Sequence, residues 1–171
     1  MPKNNDVVIQ VTPDFLRTVA FAAISGVRSM AAPALLARAA ARGDVPGLRA
    51  TPLGLLGDDR AATILQTLMV GEMIGDKTPF IPSRTAAGPL FGRALSGALV
   101  GSALFASRGR QGLSGALLGA ASAIAGVYAA DRLRSATTQG LGLPDPLFGL
   151  LEDGLILVGG SRLLRRGSSD S

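Results

Sequence analysis

The stretch from Gly71 to Thr85 contains the side chains of this sequence that are best suited to chemistry. Glu72, Asp76, Lys77 and Arg84 follow one another within this short stretch, which lies between two apolar runs. Carboxylates can exchange protons or hold a cation, and guanidinium groups can bind an anion or a phosphate. Because Glu72 and Asp76 are four residues apart, a helix would place them on one face. The stretch therefore predicts a polar site.

Composition restricts the chemistry of that site. The 171 residues include no His and no Cys. A disulfide, a thiolate nucleophile, a standard zinc site and a hydrolase triad are thereby excluded. Apolar residues make up 47% and charged residues 17%, and the mean hydropathy is +0.37. These values favour a membrane protein, and we predict no catalytic residue, no metal and no cofactor.

The net charge of +5 does not indicate a nucleic-acid partner. Aromatic residues, which stack on bases, make up only 4% of the chain. The arginines are dispersed at the ends of apolar segments, which is the pattern that membrane topology requires. The expected partner is therefore a lipid bilayer and not a nucleic acid.

The apolar runs predict an all-α integral membrane bundle of four to five transmembrane helices. A run of about twenty apolar residues is long enough to cross the hydrocarbon core. The predicted helices are Phe15–Ala41, Ala61–Asp76, Ala86–Ser107, Gly112–Ala130, and a last one from about Pro144 to Arg162. The loop before the last helix is predicted over Arg132–Gly142.

Prolines interrupt this pattern at two places. In the first helix, Val19–Leu36 would cross the membrane with a kink at Pro33. After Asp76, Pro79 and Pro82 predict an irregular link, because residues that precede proline avoid the α region. Irregular backbone at membrane depth is tolerated only when it is buried in protein or lines water. Whether the helix before this link spans the membrane completely is left open.

A glycine repeat predicts a tightly packed helical hairpin. The segment Leu95–Gly101 resembles the segment Leu113–Gly119, and each copy contains a Gly-x3-Gly pattern. Small residues at this spacing let membrane helices approach closely, so helix packing is favoured over a functional role. The glycines and prolines assigned a structural role are Gly71, Gly75, Pro79, Pro82, Gly97, Gly101, Gly115 and Gly119.

Several charges fall within apolar segments, where each costs about 2.5–3.5 kcal/mol at a helix centre. They should therefore face the interior of the bundle and pair. The candidate polar site consists of Arg28, Glu72, Asp76, Lys77, Arg84, Arg93, Glu152 and Asp153. Two interpretations stay open: a salt-bridge network that fixes helix register, or a polar cavity that binds an ion, a proton or a headgroup.

The expected organisation is a polar segment over residues 1–14, one transmembrane domain over residues 15–166, and a disordered tail over residues 167–171. No cleaved signal peptide is predicted, because no basic segment with a following apolar region and cleavage site begins the chain. With five spans, Arg17 and Arg108 would lie on opposite sides of the membrane. The distribution of basic residues then favours a cytoplasmic C-terminus.

The pattern Gly-Glu-x3-Asp-Lys-x-Pro-x2-Pro-x-Arg-Thr, followed by Arg-x2-Ser-Gly-Ala-x2-Gly and a late Pro with a Glu-Asp pair, resembles a bacterial membrane-protein family. This is the domain of unknown function numbered 4126. The matching positions are Gly71, Glu72, Asp76, Lys77, Pro79, Pro82, Arg84, Thr85, Arg93, Ser96, Gly97, Ala98, Gly101, Pro144, Glu152 and Asp153. The resemblance implies a small multi-pass protein of the bacterial inner membrane, and it implies no reaction.

Three functions are compatible with these residues. The first is a small transporter or channel, forming a homo-oligomer, whose substrate the sequence does not specify. The second is a structural or scaffold protein whose charges only hold helices together. The third is an enzyme acting on lipid phosphate, in which Asp76 with Glu152 or Asp153 would hold Mg²⁺.

Overall fold

The computed structural model describes residues 13–75, 86–141, 153–154 and 156–164. These residues form an all-α fold, and none of them lies in a strand. The helices are α1 (Pro13–Val27), α2 (Ala31–Ala41), α3 (Asp59–Gly75), α4 (Ala87–Ala106) and α5 (Gly112–Leu141). Two short 3-10 helices, Leu48–Ala50 and Gly54–Gly57, lie between α2 and α3. Residues 153–154 and 156–164, called the C-terminal segment, are also helical.

The helices α1 and α2 form an antiparallel hairpin. At the start of α1, Asp14 lies 3.6 Å from Arg108, just beyond the end of α4. After α2, Gly47 packs so closely on Ser107 that a Cβ there would overlap the Ser107 carbonyl oxygen. Gly47 also has a φ of +81°, which favours glycine. The chain therefore returns after α2 to the end of the bundle from which α1 started.

The prediction of one helix over Phe15–Ala41 with a kink at Pro33 is wrong. The break lies at residues 28–30, and Pro33 falls in the first turn of α2. Proline is tolerated there because the first amides of a helix have no intrahelical acceptor. The sequence thus forms two short helices, of 15 and 11 residues, where one long span was expected.

The helix α3 packs along α2 and runs antiparallel to it. Its beginning follows Gly57, which lies near the Ala40 carbonyl at the end of α2, and Glu72 in its last turns reaches the start of α2. Its bounds are close to the predicted Ala61–Asp76. Of its described residues only Ala62 is buried, so most of α3 faces outward.

The predicted glycine hairpin corresponds to α4 and α5, whose facing glycines lie in contact. A Cβ on Gly97 would overlap the Gly119 carbonyl oxygen, and a Cβ on Gly101 would overlap that of Gly115. Helix α5 continues to Leu141, so its predicted end at Ala130 and the predicted loop over Arg132–Gly142 are wrong. No Gly or Pro occurs from Asp131 to Gln139 to end the helix.

The buried core lies between α1, α2, α4 and the end of the C-terminal segment. Its largest members include Phe21, Leu36, Leu48, Val100 and Leu104, with Leu164 beside them. Among the described helices, α4 and the Gly112–Ala136 part of α5 are long and apolar enough to cross a membrane. The count of four to five transmembrane helices stays a prediction.

Candidate functional site

The turn between α1 and α2 lies halfway along α4. The Ser96 hydroxyl donates a hydrogen bond to the Ser29 carbonyl oxygen, and its oxygen lies 3.3 Å from that of Ser25. Ser96 is at the middle of the 20 residues of α4, a helix about 30 Å long at 1.5 Å per residue. The backbone break at residues 28–30, called the helix break, is therefore about 15 Å from either end of α4.

Arg28 lies at the helix break and forms a buried ion pair with Asp153. The Nε of Arg28 donates a hydrogen bond of 2.9 Å to Oδ1 of Asp153. The side chains of Arg28 and Asp153 are only 3% and 13% exposed, respectively. Since a buried charge is stable only when it is paired and hydrogen-bonded, this pair ties the C-terminal segment to the helix break.

Glu72 of α3 binds the other side of the helix break. One carboxylate oxygen accepts hydrogen bonds from the Ser29 amide at 2.8 Å and from the Ser29 hydroxyl at 2.7 Å. The other oxygen accepts one from the Met30 amide at 2.8 Å. All three distances are those of charge-assisted hydrogen bonds.

These contacts explain why α2 begins at Ala31. The first amides of a helix need acceptors, which a capping side chain usually supplies. The N-cap residue Met30 makes no side-chain cap of its own, and the Glu72 carboxylate from another helix takes that role. Its negative charge is also favourable at the positive end of the α2 dipole.

Arg93 lies one turn before Ser96 on α4 and is 5% exposed. Residues three apart share a helix face, so Arg93 belongs to the same buried side of α4 as the contact with the helix break. The structure therefore brings together Arg28, Glu72 and Asp153 and places Arg93 on the adjacent turn.

The remaining candidates divide into two groups. Added Cβ atoms on Gly71 and Gly75 would meet no atom of the described residues within 4 Å, so no described helix packs closely on α3 at these positions. The other candidates lie outside the described residues: Asp76, Lys77, Pro79, Pro82, Arg84 and Glu152.

Sequence reasoning missed Ser29, Ser96 and the Met30 amide as parts of the site. Polar residues inside an apolar run, as in Ser25-Gly26-Val27-Arg28-Ser29, were the available signal. Gly26 is required because a Cβ there would overlap the Ala123 carbonyl oxygen of α5. The last turn of α1, just before the helix break, is therefore packed against α5.

A metal centre finds no support in the described part of the chain, where no three acids group around a possible ion position. Asp153, one of the proposed Mg²⁺ ligands, is bound to Arg28. The other two proposed ligands, Asp76 and Glu152, lie outside the described residues.

The fold and the site define a class of protein: an all-α bundle with two helices of membrane length and a charged break between two shorter helices, which packs beside the middle of one of the long helices. The chain belongs to the family described as Domain of unknown function (DUF4126), which it matches over residues 15–161. No curated protein and no solved structure matches the chain.

Proposed function

We propose that the chain is a multi-pass protein of the bacterial inner membrane in which the α1–α2 hairpin enters from one side and turns at mid-depth. Two observations support this placement. The helices α4 and α5 are long and apolar enough to cross a bilayer. Their outer faces expose large apolar side chains of the kind that suit lipid contact: Phe91, Leu95, Leu113 and Leu117.

The helix break then serves as the site at which a small transporter or channel handles an ion, a proton or a polar headgroup. One observation supports this proposal. Arg28, Glu72 and Asp153 all contact or belong to the helix break, which packs beside the middle of α4. Membrane transporters place their binding sites at discontinuous helices near the midplane. Ionisable residues at that depth are costly and mark ion or proton pathways.

The chemistry of the site follows from the position of the Glu72 carboxylate. Its carboxylate rests on the amides of Ser29 and Met30 as a bound anion would. A neutral side chain at position 72 would hold this contact less tightly, because it is a poorer acceptor and lacks the attraction of the helix dipole. Release of Glu72 then exposes backbone donors at the start of α2, while the pair of Arg28 with Asp153 holds the turn in place.

Flux measurements test this function. The purified protein is reconstituted in liposomes and exposed to proton, monovalent-ion and anion gradients. We expect flux that Glu72→Gln reduces strongly and that Asp131→Asn leaves unchanged, since Asp131 lies exposed on α5. Absence of flux for every solute, with correctly inserted protein, would contradict the proposal.

A structural role is the second candidate, and one observation favours it. The described charges at the helix break are satisfied by protein groups, with Asp153 bound to Arg28 and Glu72 accepting three hydrogen bonds. In that case Glu72→Gln and Asp153→Asn lower the abundance or assembly of the protein. Normal accumulation of both variants together with a lost cellular phenotype would exclude this candidate.

Self-association is proposed for either function. Helix α3 exposes large apolar side chains on its outward side: Ile64, Leu68, Val70 and Ile74. A second copy would cover part of this face, since contiguous exposed apolar surface marks an interaction or lipid-facing site. Light scattering of the detergent-solubilised protein tests this, and a monomeric mass at all concentrations would contradict it.

A further inference from the structure

A cavity lies at the end of the bundle where α1 begins and where α2 and α4 end. It has a volume of about 320 Å³, at the lower limit of ligand pockets, about 300 Å³. Its apolar wall includes Phe21, Leu104 and Leu164. Its polar wall includes Arg17, Asp44, Ser107 and Arg108. Arg17 is about three turns before the helix break on α1, so this cavity is separate from the site at mid-depth.

Both arginines lie near the same carboxylate, that of Asp14. Arg17 and Arg108 each lie 3.6 Å from Oδ1 of Asp14. This exceeds the 2.7–2.9 Å, roughly, of a charge-assisted hydrogen bond. The side chains are partly exposed, at 22% for Arg17 and 28% for Arg108. Both side chains therefore line the cavity and are partly accessible from it.

The surrounding surface is basic. The arginines at this end, within the described residues, are Arg17, Arg38, Arg42, Arg49, Arg60, Arg108, Arg110 and Arg162. The aspartates there are Asp14, Asp44, Asp58 and Asp59, which leaves an excess of positive charge. The α1–α2 hairpin brings Arg17 to the same end as Arg108, so the expectation that they lie on opposite sides is wrong. Such an end favours the cytoplasmic face, where anionic lipids attract arginine.

We propose that this cavity binds the phosphate of an anionic glycerophospholipid, with Arg17 and Arg108 as its ligands. Arginine suits phosphate because its planar donors match two phosphate oxygens. The apolar wall of Phe21 and Leu104 accommodates the glycerol region, and the exposed Leu16 on α1 offers a surface for an acyl chain. Asp14 acts as the internal counter-ion that the phosphate displaces. This proposal rests on the membrane placement above and not on transport.

Lipid titration followed by native mass spectrometry tests the proposal. The delipidated protein in neutral detergent is titrated with phosphatidylglycerol or phosphatidylcholine. We expect preference for phosphatidylglycerol, with Arg17→Gln and Arg108→Gln each weakening its binding about tenfold, as loss of a hydrogen bond to a charged group does. Asp14→Asn should strengthen binding, because it removes the competing carboxylate.

The control is Arg132→Gln, which removes an exposed arginine from the second half of α5, away from the cavity. This variant should leave lipid binding unchanged. In a phosphate site, Asp14→Asn strengthens lipid binding and Arg17→Gln weakens it. In a cluster that is only structural, both variants would weaken lipid binding. Equal binding of the two lipids overturns the proposal. So does competition by glycerol phosphate or inorganic phosphate at the lipid concentration, which would indicate a soluble ligand. The membrane placement is checked separately by cell fractionation. Recovery of the protein in the soluble fraction without detergent would contradict that placement.

Discussion

Arg28 and Asp153 are separated by 125 positions in the sequence, yet their side chains form a hydrogen bond of 2.9 Å. The pair joins the turn of the α1–α2 hairpin to the C-terminal segment. Glu72 binds the next two backbone amides of the same turn. Residues from three distant parts of the chain therefore determine where the first apolar run breaks.

The buried pair should be strongly coupled. Arg28→Met removes the buried guanidinium that Asp153 accepts from, and Asp153→Leu removes the carboxylate that Arg28 binds, so each single variant should cost about 3–5 kcal/mol of unfolding free energy. The double variant should cost less than the sum, because neither charge is then stranded. Denaturant titration in detergent, followed by far-ultraviolet circular dichroism, measures these values.

The matched control for that experiment is Asp14→Asn, which disrupts a partly exposed ion pair. Its effect should be about 1 kcal/mol or less. Single variants of Arg28 and Asp153 that are as mild as this control would show that the buried pair does not hold the turn.

Removal of the Glu72 carboxylate should release the start of α2. Glu72→Ala deletes three hydrogen bonds, including those from the Ser29 and Met30 amides, and should cost about 1–2 kcal/mol, as loss of a helix cap does. Hydrogen exchange followed by mass spectrometry should show faster exchange in peptides covering residues 28–31. Asp131→Ala on α5 is the control, and unchanged exchange at residues 28–31 in Glu72→Ala would rule out the capping role.

The sequence predicted the bounds of α4, the start of α5 and the turn between them because the signals for these are local. Two long Ala/Gly-rich runs are separated by Arg108-Gly109-Arg110, and the turn at Gly109 has a φ of +67°. The first helix was mispredicted because its break depends on Glu72, 43 positions away. Pro33 was the only strong local breaker nearby, and it lies where a helix tolerates proline.

The charged members of the candidate site could be recognised from the sequence because a charge inside an apolar run is costly and needs a partner. That argument identified Arg28, Glu72 and Asp153 as site residues, but it did not predict which groups each of them contacts. It could not select the Ser29 and Met30 amides, since every residue carries a backbone amide and the sequence does not mark which ones lack an intrahelical acceptor.

The glycine contacts between α4 and α5 predict a position-dependent cost. Gly119→Ala places a Cβ on the Gly97 carbonyl oxygen, so the helices must separate, at about 1–3 kcal/mol. Gly92→Ala on α4 meets no atom of the described part of the chain within 4 Å and should stabilise the helix by about 0.5–1 kcal/mol. Thermal unfolding of the two variants measures the difference, and equal shifts would show that the glycines are not needed for close packing.

The membrane path of the α1–α2 hairpin can be measured by cysteine labelling, because the natural chain contains no Cys. We expect Asp14→Cys and Arg42→Cys to react with a membrane-impermeant maleimide from the same side, since the start of α1 and the end of α2 lie at one end of the bundle. Ser135→Cys, near the far end of α5, should react from the opposite side. Right-side-out and inverted vesicles distinguish the two sides. Labelling of Asp14→Cys and Arg42→Cys from opposite sides would instead establish one continuous span, and it would remove the helix break from the middle of the membrane.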